Sequence, residues 1–506
     1  VLLSLGGIAA WGHYSDWQLP KFSALIGGSA PDAQQWCDEH NVPEVDCIEC
    51  NVALLPPGKE FGWCKVHGVA ECPLEHPEVA QLKQPPEASA ADKARAERAL
   101  KVMPRAENSS RCTLHHHRIQ FASAAAADKA GVDIAIVQRQ PIVEAVTANG
   151  EIVYDQTRAA HLSPRVPGTV WRVERTVGEA VRKGDLLALV EAAEVGRAKG
   201  EFLQALAQSR LKAKNAERIK PLSASGSVPE RAWREAETAL QESQIRLMSA
   251  QQTLVNLGMP AEWQAWKDLS TEEIAQRIQF LGLPREIVEP LDPAATTSNL
   301  IGIKSPLDGV VVERNAVAGE VVDNARTLFV VADTSRMWLT LDVRQEDTRL
   351  LSLGQKVRFC ESGSSECEEV LGQVVWISTA ADAHTRTVKI RADLPNSEGR
   401  LRANTFGTGR IVLRDEPEAI VVPSDAVHWE GCCNVVFVRD KNYLDPASPK
   451  FYRIRKVRLG VKEGGVTEII AGLAQGEVIA DKGSNVLAAQ LLKSKLGEGC
   501  SCAHGH

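Results

Sequence analysis

The sequence carries no excess of positive charge. Its 58 Lys and Arg are outweighed by 65 Asp and Glu, for a net charge of −7. Nucleic-acid-binding domains normally present a basic face, so that class is excluded. No run approaches the ~20 apolar residues of a membrane-spanning helix. The patterns HExxH, GxSxG and the P-loop are all absent, which removes the familiar signatures of zinc peptidases, serine hydrolases and nucleotide hydrolases. His161, His384 and His428 stand isolated in the sequence and read as ordinary polar residues. Nothing points to an enzyme. Cysteine is missing from the whole of 113–359, although the chain has twelve. A disulfide framework spread through a small secreted domain is therefore not the pattern here.

Seven of the cysteines fall in two clusters, five within 37–72 and two in the tail. Cys37 and His40, Cys47 and Cys50, and Cys64 and His67 are each separated by two residues, and Cys72 and His76 follow. Two-residue spacing lets both side chains of a pair reach one ion from a tight turn. Thiolate and imidazole suit Zn²⁺ and other borderline or soft cations. Eight donors are enough for two tetrahedral sites, or for one site with spares. Disulfides or free thiols are the alternatives. The tail repeats the chemistry with Cys500, Cys502, His504 and His506, donors alternating with small residues. Cys112 with His115, His116 and His117 offers a further set inside a tract rich in Ala, Glu, Lys and Arg that reads as a linker, partly helical around Ala90–Val102. Cys432 and Cys433, adjacent in a strand-like segment, are awkwardly placed for a shared metal site or a mutual disulfide. The first residues, VLLSLGGIAAW, look like the remainder of a signal peptide or of an amino-terminal anchor, with a buried core piece as the alternative.

Two distant segments resemble each other. Residues 163–190 read SPRVPGTVWRVERTVGEAVRKGDLLALV, and residues 305–331 read SPLDGVVVERNAVAGEVVDNARTLFVV. Each is a set of short strands separated by glycine turns. Neither is long enough to bury a core alone, so the two are expected to pair into one small β-sandwich. Between them, residues 195–220 and 229–257 read as helices. In the second, Trp233, Leu240, Leu247 and Leu254 recur every seven residues, with Ala236, Ser243 and Ala250 as companions. That repeat suits two antiparallel helices packed closely. Beyond the second segment, residues 337–413 and 419–486 hold many short alternating runs and predict two small β-domains.

This order resembles the periplasmic adaptor, or membrane fusion protein, family of HlyD-like proteins. The best markers are the split halves, then LRANTFGTGRIV (401–412), AIVVPSDAV (419–427) and GLAQGEVIADKG (472–483). The resemblance implies a multidomain, mainly β protein with a long α-helical hairpin. Its expected divisions are an anchor or signal remnant (1–30), a Cys/His module (31–77), a linker (78–133) and first strands of the later β-domains (134–162). Then come half-sandwiches of lipoyl-like type (163–191 and 305–333) around the hairpin (192–258) and a helical return segment (259–304). A β-barrel (334–415), a membrane-proximal β-domain (416–492) and the Cys/His tail (493–506) complete the chain. True lipoyl carriers keep their halves adjacent around an exposed Lys, which this chain does not.

The resemblance further implies residence in the periplasm at the inner membrane of a Gram-negative cell. The implied partners are a resistance–nodulation–division (RND) pump, an outer-membrane channel, further copies of the chain and a heavy-metal cation. Arg218 and Leu222 match a docking motif that many family members carry at the hairpin tip, but Pro229 stands where the motif has Ser. Some copper and silver adaptors pass their ion through methionines. This chain has only Met103, Met248, Met259 and Met337, widely scattered, so Zn²⁺, Co²⁺, Ni²⁺ or Cd²⁺ is the expected ion. A secreted or anchored metal-binding interaction protein, independent of any pump, is the alternative.

Overall fold

A computed structural model describes residues 36–494, apart from 38, 39, 41, 56, 57, 88, 267, 268 and 363–367. The expected anchor remnant and the tail cysteines and histidines lie outside the described residues. Among those described, no helix is long and apolar enough to cross a membrane. The chain forms two compact units, Val146–Ile411 and Val1–Ala145 with Val412–His506.

In the first of these, the two similar segments build a sandwich of two four-stranded sheets. One sheet runs Ala180–Val181, Gly309–Arg314, Phe329–Ala332, Ala159–Leu162. The other runs Leu300–Lys304, Leu186–Glu191, Gly168–Val173, Val321–Val322. Every sheet mixes strands from both halves, so neither half completes a sheet without the other. The halves are related residue for residue. Val181 lies opposite Gly309 just as Val322 lies opposite Gly168. Val170 and Val311, Leu187 and Leu328, and Val190 and Val331 are fully buried counterparts. A Cβ at Gly168 would collide with the Glu191 carbonyl, and one at Gly309 with the Ala332 carbonyl. The close approach of the strands therefore demands glycine at both positions.

The helical hairpin leaves this sandwich as Ala193–Ala224 and returns as Glu230–Asn256. Its seam buries Val195, Phe202, Leu206 and Ala216 on one helix against Ala236, Ser243, Leu247 and Leu254 on the other. The first helix runs through Pro221 to Ala224, past the expected end at 220. So near the end the ring costs only one intrahelical bond. The backbone N–H groups of Ser225 and Ser227 close the final turns onto the carbonyls of Pro221 and Leu222. At the base, Lys199 donates to the carbonyls of Gln279 (2.8 Å) and Leu300 (3.2 Å), holding the return segment to the hairpin. The return helix Thr271–Gln279 is started by Ser270 and Glu273, which satisfy each other's backbone N–H groups.

The barrel of this unit is a closed ring of strands. Lys356–Glu361 pairs with Val370–Ala381 on one side and with the start of Phe406–Pro423 on the other. Arg336–Arg344 pairs with Thr387–Pro395 and with the end of Gln138–Tyr154. Leu339, Leu341, Phe359, Ile390 and Ile411 fill the interior.

The second unit centres on a six-stranded sheet, five of its strands in the order Arg118–Phe121, Lys450–Lys456, Asn434–Arg439, Val478–Ala480, Ile134–Ile136, with His428–Trp429 also paired to Asn434–Arg439. The described residues of 78–133, expected as a linker with a helix around Ala90–Val102, pack into this unit, and the helix forms where expected. Arg118–Phe121 is an edge strand, with Ile119 opposite Tyr452. The helix Ala90–Val102 buries Ala96 and Ala99 against Ile470 and Ala471. Charges that read as solvated are also buried here. Arg105 pairs with Glu144, and Arg414 holds both Glu144 (3.1 Å) and Glu468 (2.6 Å).

Candidate metal centres

Two short β-hairpins in the second unit carry the amino-terminal cysteines and histidines. In the first, Trp36–Cys37 pairs with Val42–Pro43, Cys37 opposite Val42. A 3-10 turn, Glu44–Asp46, leads into Cys47. This brings Cys37, His40, Cys47 and Cys50 together. His40 Nδ1 lies 3.2 Å from Cys37 Sγ, 3.5 Å from Cys47 Sγ and 3.9 Å from Cys50 Sγ. Cys37 Sγ lies 3.6 Å from Cys50 Sγ and 3.9 Å from Cys47 Sγ. A tetrahedral zinc ion would set S···S near about 3.8 Å and S···N near about 3.6 Å. The four donors fit a zinc-type cation.

The second hairpin repeats the first in the same register. Trp63–Cys64 pairs with Val69–Ala70, Cys64 opposite Val69. Gly68, at φ 66°, makes the turn. Cys64, His67 and Cys72 converge, with His67 Nδ1 3.5 Å from each sulfur. His76 does not join them. Its backbone N–H bonds the Cys72 carbonyl at 2.9 Å, and its ring stacks on Phe61 with centroids 3.9 Å apart. Three residues rather than two separate Cys72 from His76, which turns the ring away. The Glu75 carboxylate stands nearer, Oε1 3.7 Å from His67 Nδ1, and its other oxygen accepts from Lys93 Nζ at 2.5 Å.

In each set one thiol is held in its protonated form. Hydrogen bonding to Cys47 and Cys37, with a smaller contribution from burial, pushes the Cys50 thiol up to about 12. Burial, and then the neighbouring Cys64, push Cys72 up to about 12. Burial lowers His67 despite Glu75 beside it, favouring the neutral imidazole, which is the ligating form. A bound cation would reverse the cost at the sulfurs.

Both hairpins are seated on the unit that contains them. The Gln120 side chain accepts from Ile48 N (3.0 Å) and donates to the Asp46 carbonyl (2.8 Å). The buried Lys456 donates to the Gly68 carbonyl at 2.9 Å and lies 4.4 Å from the centre of the Trp63 ring.

A third cluster escaped the sequence reading. Cys433 pairs not with its neighbour but with Cys112, in a disulfide across 321 positions. Cys432 Sγ sits 3.7 Å from Cys433 Sγ and 4.0 Å from Cys112 Sγ. His115 bonds the Cys112 carbonyl through Nδ1 and leans on His116, so these rings do not join the sulfurs. No local spacing signals a contact this remote in sequence. Arg218 and Leu222 both lie on exposed surface near the hairpin tip, Arg218 donating to Asn215 at 2.9 Å.

Three family models match in succession. Residues 158–333 match the CzcB-like barrel-sandwich hybrid domain and residues 336–414 the CusB-like β-barrel domain. Residues 420–488 match the CzcB C-terminal circularly permuted SH3-like domain. The chain is 27% identical to the cobalt-zinc-cadmium resistance protein CzcB of Cupriavidus metallidurans over 75% of its own length and 64% of that protein's. It therefore spans somewhat less than two thirds of that relative. It is 24% identical to the nickel-cobalt-cadmium resistance protein NccB of Alcaligenes xylosoxydans xylosoxydans, over 66% of this chain and 73% of the other. Among solved structures it is similar to ZneB from Cupriavidus metallidurans, at 21% identity and a TM-score of 0.33, covering 72% of this chain and 95% of that one. With the sandwich, barrel and C-terminal domains in this order, the chain carries the domains of CzcB-like RND membrane fusion proteins and is homologous to CzcB and NccB.

Proposed function

We propose that the chain is the periplasmic adaptor of a tripartite efflux assembly that exports heavy-metal cations. In this reading it joins a proton-driven RND pump in the inner membrane to an outer-membrane channel, and several copies together form the wall of the conduit. It acts by binding and positioning and performs no catalysis. The observation that carries the reading is the unbroken succession of the three domains in one chain. Similarity to proteins named for cobalt, zinc, cadmium and nickel resistance supports a divalent heavy-metal cargo.

The Cys/His hairpins supply the metal chemistry. Cys37, His40, Cys47 and Cys50 form one site, and Cys64, His67 and Cys72 a second. Cys500, Cys502, His504 and His506 form a further donor set in the tail. Thiolate and imidazole favour Zn²⁺, Cd²⁺, Co²⁺ or Ni²⁺ as the cation. The helical hairpin, with Arg218 and Leu222 near its tip, is the arm that meets the channel.

Deleting residues 197–256 tests the adaptor reading in a host challenged with zinc and cadmium. The adaptor loses its docking arm, and tolerance should fall to that of cells lacking the chain. A binding protein that works apart from any pump would keep its protective effect without the hairpin, and that result would overturn the proposal.

A further inference from the structure

The two amino-terminal hairpins are copies of one unit. Trp36, Cys37, His40 and Val42 correspond to Trp63, Cys64, His67 and Val69, and the paired residues share one register. The third donor follows in each, Cys47 and Cys72. The copies part at the fourth. Cys50 stands three residues after Cys47, whereas Glu75 stands three residues after Cys72. The first set thus offers three sulfurs and a nitrogen at tetrahedral separations. The second offers two sulfurs and a nitrogen, and the carboxylate beside them is held by Lys93 on the helix Ala90–Val102.

Closed four-donor sites hold zinc as structure, and sites with three protein donors keep a coordination position for an outside ligand. We infer that the second hairpin is the exchange site of the pair: Cys64, His67 and Cys72 hold a divalent zinc-like cation and leave the fourth position to an incoming donor, while the first hairpin holds its cation permanently. This rests on the metal-binding reading of the hairpins given above. An incoming thiolate, imidazole or carboxylate bonds to the cation before the protein sulfurs let go, so transfer needs no free ion. The first hairpin has no such position, and one of its own donors must leave first. Lys93 makes Glu75 a weak competitor for that position, because the ammonium already engages its carboxylate.

The test uses the full chain with Cys500→Ser, Cys502→Ser, His504→Ala and His506→Ala, so that the tail donors are removed. It is loaded with Zn²⁺, freed of excess and mixed with a chromogenic zinc chelator, and bound zinc is counted by elemental analysis. Zinc should leave in a fast and a slow phase of one equivalent each. Cys64→Ser should remove the fast phase and Cys47→Ser the slow one. Glu75→Cys, which supplies the donor found in the first hairpin, should slow the fast phase roughly tenfold or more. That last variant adds a donor at a partly exposed position, so it does not depend on a damaged fold. Two equivalents leaving in one phase overturn the assignment and leave the metal reading standing. So does a fast phase that survives Cys64→Ser or is unmoved by Glu75→Cys. An unaltered chain that holds no zinc overturns both.

Discussion

At the scale of single residues, the sulfurs set how metal binding depends on pH. Without a cation, Cys50 and Cys72 sit at about 12 and are protonated at neutral pH. A cation must displace those protons, so binding releases them and weakens as pH falls. Zinc affinity should drop about tenfold per pH unit for each proton displaced, which competition titrations at about pH 7 and pH 6 would measure. A different residue-scale prediction concerns Arg414, almost fully buried between Glu468 and Glu144. Arg414→Met leaves two buried carboxylates short of a partner and should cost about 3–5 kcal/mol in urea unfolding. Paired spacing pointed to Cys37, His40, Cys47, Cys50, Cys64, His67 and Cys72, which the fold gathers into two groups, because side chains on a tight turn leave a local signature. Spacing misplaced His76, since one extra residue rotates a side chain off the site. It could not show Cys112 with Cys433, whose meeting depends on the fold of the whole unit.

At the scale of elements, the internal repeat was legible because both halves of the sandwich need the same glycines and the same buried valines. The seven-residue recurrence on Glu230–Asn256 was legible for a similar reason: a seam of constant width leaves a constant period. Leu254, fully buried in that seam, should cost about 2–5 kcal/mol when changed to Ala. Leu211, 66% exposed on the facing helix, should shift stability by no more than about 0.5 kcal/mol. Thermal unfolding of the two variants side by side checks the contrast. Within residues 78–133 the helix Ala90–Val102 was legible, but the packing of the tract was not. That helix packs through alanines, and Arg98 and Arg105 are spent on Glu416 and Glu144. Such a tract has the composition of a solvated linker, and only its partners from the C-terminal part of the chain reveal otherwise.

At the scale of the molecule, three domains of CzcB-like membrane fusion type recur in order within a chain that also carries two Cys/His hairpins, which share a register and differ in one donor. Tolerance alone does not separate export from sequestration, since a protein that only binds zinc also protects a cell. The rate at which preloaded cells lose zinc does separate them. With its pump and channel present, the intact chain should speed that loss severalfold, and the chain lacking residues 197–256 should return it to the rate of cells without the chain. Equal rates with and without the hairpin would contradict the account.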